Sequence, residues 1–201
     1  MNPEYAAHQG RLRIRPLERG DLEPLRLARN DAVYARFLTP MPEVSAEQQR
    51  AWYEAYLEDG DVLIWGIEDE ARGVFVGATA LFRFRPKRSG GAAAARASSK
   101  KPPCCEAGKT LILPGEAGRG FATRGKILTM AIGFKVLGME KMDTHVEAEN
   151  IASLRSTQRC GFTADPRPPK KTGGKGGYFT ITKAEFLKLH PQLRDVAIWK
   201  V

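Results

Sequence analysis

The apolar positions of this chain change period several times, and each change predicts an element. Leu12-Arg13-Ile14-Arg15-Pro16-Leu17 alternates apolar with charged residues, the pattern of a strand with one buried face. A helical stretch closing at Leu27-Ala28-Arg29-Asn30-Asp31 follows, and a second helix carries Trp52. Val62-Leu63-Ile64-Trp65-Gly66-Ile67 is apolar throughout, as a strand buried on both faces would be, and Val74–Phe84 reads as another strand. The run Leu111-Ile112-Leu113 then breaks at a glycine-rich turn, Pro114-Gly115-Glu116-Ala117-Gly118-Arg119-Gly120. Beyond it Ile127, Met130, Ala131, Phe134 and Leu137 recur at helical spacing, so the turn opens a helix with one apolar face. Lys141–Ala148 predicts a strand. A short helix begins at Asn150, a good N-cap residue, and stops at Cys160-Gly161-Phe162, where Gly161 suits the position just past a helix. A full helix separates the strands around Leu111 and Val146, which is the connection parallel neighbours need.

Composition narrows the class. With 201 residues and 42% apolar content, one domain with a single core is the simplest architecture. No apolar run approaches a membrane span, and Met1–Arg11 lacks the apolar centre of a secretory signal, so no membrane partner is expected. Of three cysteines two are the adjacent pair Cys104-Cys105, which makes no disulfide framework and fits a reducing, cytoplasmic setting. Histidines 8, 145 and 190 lack metal-ligand spacing with the cysteines, and no metal site is expected.

The net charge of +9 is local. Seven Lys/Arg and no acid fall between Arg83 and Lys101, four more lie between Arg167 and Lys175, and without these eleven the chain sums to −2. Residues 85–103 therefore read as a basic, low-complexity insertion between two strands, solvated rather than folded. It lacks aromatics to stack bases, so nucleic acid would bind there only non-specifically and in a salt-sensitive way. The domain is expected over 11–190, with tails at 1–10 and 191–201.

The glycine turn carries the chemistry. Unpaired N–H groups at the positive end of a helix dipole suit an anion, and Gly118 and Gly120 let it approach the main chain. Arg119, Arg124 and Lys126 crowd the same helix start, where the dipole disfavours them, and a phosphate would resolve that conflict. Gly120–Lys126 also fits most of a Walker A motif, but Ile127 stands where the Mg²⁺-binding Ser or Thr belongs and the match lies inside the helix.

The turn resembles more closely the pyrophosphate loop of the GNAT acetyltransferases, Arg/Gln-x-x-Gly-x-Gly/Ala. Ala117-Gly118-Arg119-Gly120-Phe121-Ala122 supplies all of it except the first long polar side chain, which Ala117 replaces. Asn150 and Ser153, followed by Cys160-Gly161-Phe162, match the helix that lines the coenzyme A and acceptor junction in that family. The front end is similar to the branch containing the ribosomal-protein N-terminal acetyltransferases. The resemblance covers roughly residues 11–163, and more weakly 177–187.

It implies a single α/β (α+β) domain, with a twisted, mixed and mostly antiparallel sheet, splayed parallel central strands and flanking helices. It implies acetyl-CoA as donor, held by Ala117, Gly118, Arg119, Gly120, Phe121, Ala122, Thr123 and Asn150. A backbone N–H of Ile112 or Leu113 would stabilise the oxyanion. Glu106 is the first choice of base for the acceptor ammonium, with Glu147 and Glu149 as rivals whose alternation puts them on one face. Ser153 is the candidate acid near the departing thiolate. Cys160, at an apolar helix end, reads as core rather than nucleophile, which favours direct transfer. The acceptor would lie against Phe37, Leu38 and Met41 and the loop after Pro166. A protein N-terminus, ribosomal or other, is the first acceptor expected; an amino sugar, antibiotic or polyamine is the alternative. Readings of another class are an inactive coenzyme A-binding scaffold and a basic nucleic-acid-binding module. The chain would be a monomer or homodimer.

Overall fold

Strand alternation explains why Val62–Ile67 is apolar throughout: Leu63, Trp65 and Ile67 enter one core and Ile64 the other. The computed structural model describes residues 2–32, 42–85, 102–166, 176–194 and 196–201. Along the chain run β1 (Tyr5–Gln9), β2 (Leu12–Pro16), α1 (Leu22–Asn30), α2 (Ala46–Glu58), β3 (Val62–Asp69), β4 (Val74–Arg85) and β5 (Cys104–Ile112). After the glycine turn come α3 (Phe121–Lys135), β6 (Lys141–Val146), α4 (Ile151–Arg159), β7 (Thr163–Ala164), β8 (Gly177–Thr182), α5 (Lys183–Leu189) and β9 (Ala197–Lys200). Among the described residues the strands form one sheet in the order β7-β8-β6-β5-β4-β3-β2-β1-β9. Its pairs are antiparallel except β5–β6, which is parallel. The fold class is the one expected.

The sheet buries both faces. On one, Ile67, Leu81, Phe84, Cys105, Ala107 and Met142 pack with Leu128, Met130 and Phe134 of α3. On the other, Ile64, Ala78 and Ala80 pack with Leu22 and Leu25 of α1 and Tyr53 and Tyr56 of α2. The second face is thinner. No helix among the described residues is long and apolar enough to cross a membrane.

Glycines of α3 leave room for side chains of the strands to pack against the helix backbone. A Cβ on Gly125 would stand 2.5 Å from Ile67 Cδ1, and Ile67 is fully buried. Gly125 thus has a packing role that outweighs its poor helix propensity. Gly125→Ala should lower unfolding free energy by about 1–2 kcal/mol in a denaturant titration, overpacking exceeding the roughly 1 kcal/mol that alanine gains in a helix.

Two irregularities shape the centre of the sheet. β5 and β6 pair only through Cys104–Lys141, Cys105–Met142 and Glu106–Asp143. Beyond Glu106, β5 continues to Ile112 and β6 to Val146 with no further pairing between them, so the strands splay. On the other side of β5 the register with β4 slips between Ala78–Leu111 and Ala80–Gly108, leaving Lys109 and Thr110 opposite Thr79 alone. Lys109 takes a left-handed φ of 49° there, a bulge of the kind that re-aims side chains.

The end segments 1–10 and 191–201, expected as tails, contribute paired strands β1 and β9. Their apolar stretches, such as Ala6-Ala7, are too short to announce a strand, yet Ala6 and Ala7 are fully buried. β6 ends at Val146, where a turn begins with Asn150 N–H bonded to Glu147 O. Strand alternation therefore does not govern Glu147 and Glu149, and they are not placed on a common face by it.

Candidate active site

A single 3-10 turn at Pro114–Glu116 brings the chain from β5 into the glycine turn. Gly118 and Gly120 each have φ of 79°, and Gly120 caps α3 without any side-chain hydrogen bond to its first turn. The leading N–H groups of α3 thus receive no side-chain cap. A Cβ built on either glycine meets nothing within 4 Å, so both face open space. That is a cradle suited to a phosphate.

The three cations expected to crowd this helix start are distributed differently. Arg119 Nη1 donates to Glu116 Oε2 at 2.9 Å, and Arg124 lies over the Phe121 ring at 5.3 Å. Lys126 turns inward: it is buried, with Nζ 3.5 Å from Thr157 Oγ1, and burial pushes its pKa down. Only Arg119 belongs to the turn itself, because helical geometry rotates position 126 away from the solvent edge of the first turn.

Glu116 is also held by Arg72, from the β3–β4 turn, through Nη1 at 2.8 Å and Nη2 at 2.6 Å. Arg72 Nε donates to Asp69 at 2.6 Å, and Arg11 donates to both Asp69 oxygens. Hydrogen bonds from Arg11 and then Arg72 hold the Asp69 carboxyl well below the usual carboxylate range. With its folded-state pKa depressed, Asp69 contributes stability above the ordinary carboxylate value that is lost only as pH falls through the lower one, so the relay stays charged at neutral pH.

At the splay, Leu113 N–H donates to Val76 O at 2.9 Å and is not available to an oxyanion. Successive N–H groups of a strand point to opposite edges, so Ile112 N–H is directed to the side where β6 has diverged. Of the two donors expected, only Ile112 N–H faces that gap.

A cavity of about 600 Å³ opens between α1, α2 and the β4–β5 bulge. Trp52, Tyr56 and Asp59 line it from α2 and its end, Arg29 from α1, Lys109, Thr110 and Leu111 from β5, and Ser153 from α4. The Trp52 ring stacks on Tyr56 at 5.9 Å. Ser153 N–H donates to Asn150 Oδ1 at 3.0 Å, so Asn150 acts as N-cap and fixes the helix start that brings Ser153 to the cavity wall.

Glu106 lies on β5 just before the splay, outside the residues lining that cavity. Its side chain is largely buried, and Arg83 Nη1 donates to both of its oxygens at 3.1 and 3.2 Å. Its parallel neighbour Asp143 is bound by Arg85 and Lys141. Glu147 is 3.8 Å from His145 Nδ1, in the turn after β6. Cys160 is fully buried, and burial pushes its thiol up to about 11; Cys105 is pushed up further by the same cause. Both are protonated at neutral pH and poor nucleophiles. Among the described residues no three His, Cys, Asp or Glu gather as a metal site would need. Phe37, Leu38 and Met41, most of the 85–103 insertion and most of the loop after Pro166 lie outside the described residues.

Reading the sequence missed Lys109, Thr110, Arg72 and Asp59. Arg72 stands 44 residues from Glu116, and a bulge leaves no periodic mark, so neither contact had a local signal.

A glycine cradle at the end of one of two splayed parallel strands, beside a cleft under two helices, is an arrangement that can hold an anionic coenzyme next to an acceptor. Residues 11–163 match the family model for the acetyltransferase (GNAT) domain, and the chain belongs to the GNAT family of acetyl-CoA-dependent N-acetyltransferases. In sequence it is similar to the spermidine N(1)-acetyltransferase of Escherichia coli K12, 26% identical over 154 residues, covering 77% of this chain and 74% of that protein. In fold it is similar to the Vibrio cholerae spermidine N-acetyltransferase crystallised with CoA and spermine, with a TM-score of 0.69 at 20% identity, covering 89% of this chain and 99% of that one. A GCN5-related N-acetyltransferase from Brucella melitensis superposes with a TM-score of 0.71 at 22% identity, covering 94% of this chain and 83% of that one. These named sequence relatives are spermidine acetyltransferases, not the ribosomal-protein enzymes expected from the front end.

Proposed function

We propose that the protein transfers the acetyl group of acetyl-CoA to a primary amine of a small, polyamine-like acceptor. The sequence relationship to spermidine N(1)-acetyltransferases carries this reading, and it displaces a protein N-terminus as the first acceptor. The cleft wall carries groups of both kinds, Arg29 and Lys109 sharing the acceptor's charge. Trp52 offers an aromatic face and Asp59 a carboxylate, the two groups that an alkylammonium ion uses.

The donor pyrophosphate lies on the N–H groups from Ala117 to Thr123, and the pantetheine arm enters the gap between β5 and β6. The acceptor ammonium gives a proton to Glu106, directly or through a water. Arg83 is exposed, so its ion pair with Glu106 is weak, and an incoming ammonium brings the same charge to the same oxygens. The neutral amine attacks the thioester carbonyl carbon, and Ile112 N–H receives the oxyanion. The C–S bond then breaks, the attacking nitrogen gives up its second proton as the amide forms, and the thiolate takes up that proton beside the Ser153 hydroxyl. The hydroxyl relays this proton or bonds to the sulfur; it is too weak an acid to act alone. With Cys160 buried and protonated, no acyl-enzyme is invoked.

The test is free-thiol release from acetyl-CoA with a panel of spermidine, spermine, an amino sugar and a short peptide with a free N-terminus, with products identified by mass. Spermidine or spermine should be acetylated fastest. Turnover confined to the peptide would restore the N-terminal reading, and turnover confined to the amino sugar would remove the polyamine one.

A further inference from the structure

Ala117 leaves the donor loop one long polar side chain short of the family pattern, and the structure shows which group stands beside the gap. The β3–β4 turn projects Arg72 across 44 residues of sequence onto Glu116, immediately before Ala117. The contact is bidentate, at 2.6 and 2.8 Å, the geometry in which a guanidinium and a carboxylate fix each other's orientation. Arg72 is itself aimed by Asp69, whose side chain is fully buried and which also accepts from Arg11. Glu116 uses one of the same oxygens to hold Arg119, the residue between the two left-handed glycines. Three guanidiniums and two carboxylates thus run from the start of β2 to the glycine turn, leaving one net positive charge at the loop.

We infer that Arg72 and Glu116 are positioning residues for the donor: they clamp the glycine turn to the β3–β4 hairpin and hold Arg119 beside the pyrophosphate, in place of the side chain that Ala117 lacks. The inference rests on the assignment of this turn to the donor. Neither residue needs to touch the reacting atoms. Without Glu116 the guanidiniums of Arg72 and Arg119 lose their shared anion and repel each other, and the turn loses its tether. The backbone cradle would then sample conformations in which its N–H groups diverge, and acetyl-CoA would bind only the fraction still preorganised.

Calorimetric titration with acetyl-CoA tests this on the full chain. Glu116→Gln and Arg72→Ala should each weaken binding about 10-fold, and the double variant should be little worse than either, because both changes break one clamp. Glu116→Asp, which keeps the charge that Arg72 and Arg119 share, should retain part of the affinity that Glu116→Gln loses, with the melting temperatures of the two variants alike, which a general loss of folding could not explain. In turnover assays the loss should fall more on the KM for acetyl-CoA than on kcat. Wild-type affinity in Glu116→Gln, additive losses in the double variant, or equal losses in Glu116→Asp and Glu116→Gln would overturn the clamp while leaving the donor loop in place. If the unaltered protein fails to bind acetyl-CoA, the donor-loop assignment falls and the clamp with it.

Discussion

Replacing Gly118 and Gly120 together by valine should abolish measurable acetyl-CoA binding, a loss of at least about 100-fold in affinity. Two effects act together. Each glycine has φ of 79°, a region that costs an ordinary L-residue about 1–2 kcal/mol and a β-branched one more. The two sites thus disfavour the observed turn by at least about 2–4 kcal/mol before any ligand arrives. The added side chains also project into space that is open in the free protein, which is where the phosphates would lie. Because a Cβ at either position meets no protein atom within 4 Å, the substitutions start into open space, and the hydrophobic core should keep its packing. Calorimetry alongside thermal denaturation separates the outcomes: affinity collapses while the fold persists. Wild-type affinity in this variant would place the cradle elsewhere.

The second large effect belongs to Glu106. Glu106→Gln keeps the size and the hydrogen-bonding atoms of the side chain but removes its capacity to accept a proton, and kcat should fall by about 10²–10³-fold near neutral pH. The deficit should shrink as pH rises, since a larger share of the acceptor amine is then already neutral and needs no base. Ser153→Ala should cost less, about 10-fold, because water can replace a hydroxyl relay. A pH–rate series on both variants decides the assignment. An unchanged profile in Glu106→Gln would move the base to Glu147, Glu149 or an ordered water.

The elements that position the site were legible because they rest on local patterns. The alternation at Leu12–Pro16, the doubly buried run at Val62–Ile67 and the helical period after Gly120 each record how one segment meets a core. Gly118 and Gly120 announced a left-handed turn through residue type alone. What could not be read depends on contacts between distant segments. Arg72 meets Glu116 only because β3 and β4 bring their turn beside the end of β5. Lys126 looked like a surface cation at a helix start, and the packing of α4 on α3 buries it beside Thr157. Gly125, a weak point on helix propensity, is the place where the helix touches Ile67. The bulge at Lys109 and Thr110 arises from a register slip, which one strand's sequence does not encode.

A crystal structure of the protein with coenzyme A tests the central claim most directly. The account predicts the pyrophosphate within hydrogen-bonding distance of N–H groups between Ala117 and Thr123, the pantetheine arm in the gap where β5 and β6 part, and the thiol directed toward the cavity that Ser153 and Leu111 line. Coenzyme A seated away from the glycine turn, or a thiol remote from Ser153 and Leu111, would contradict it.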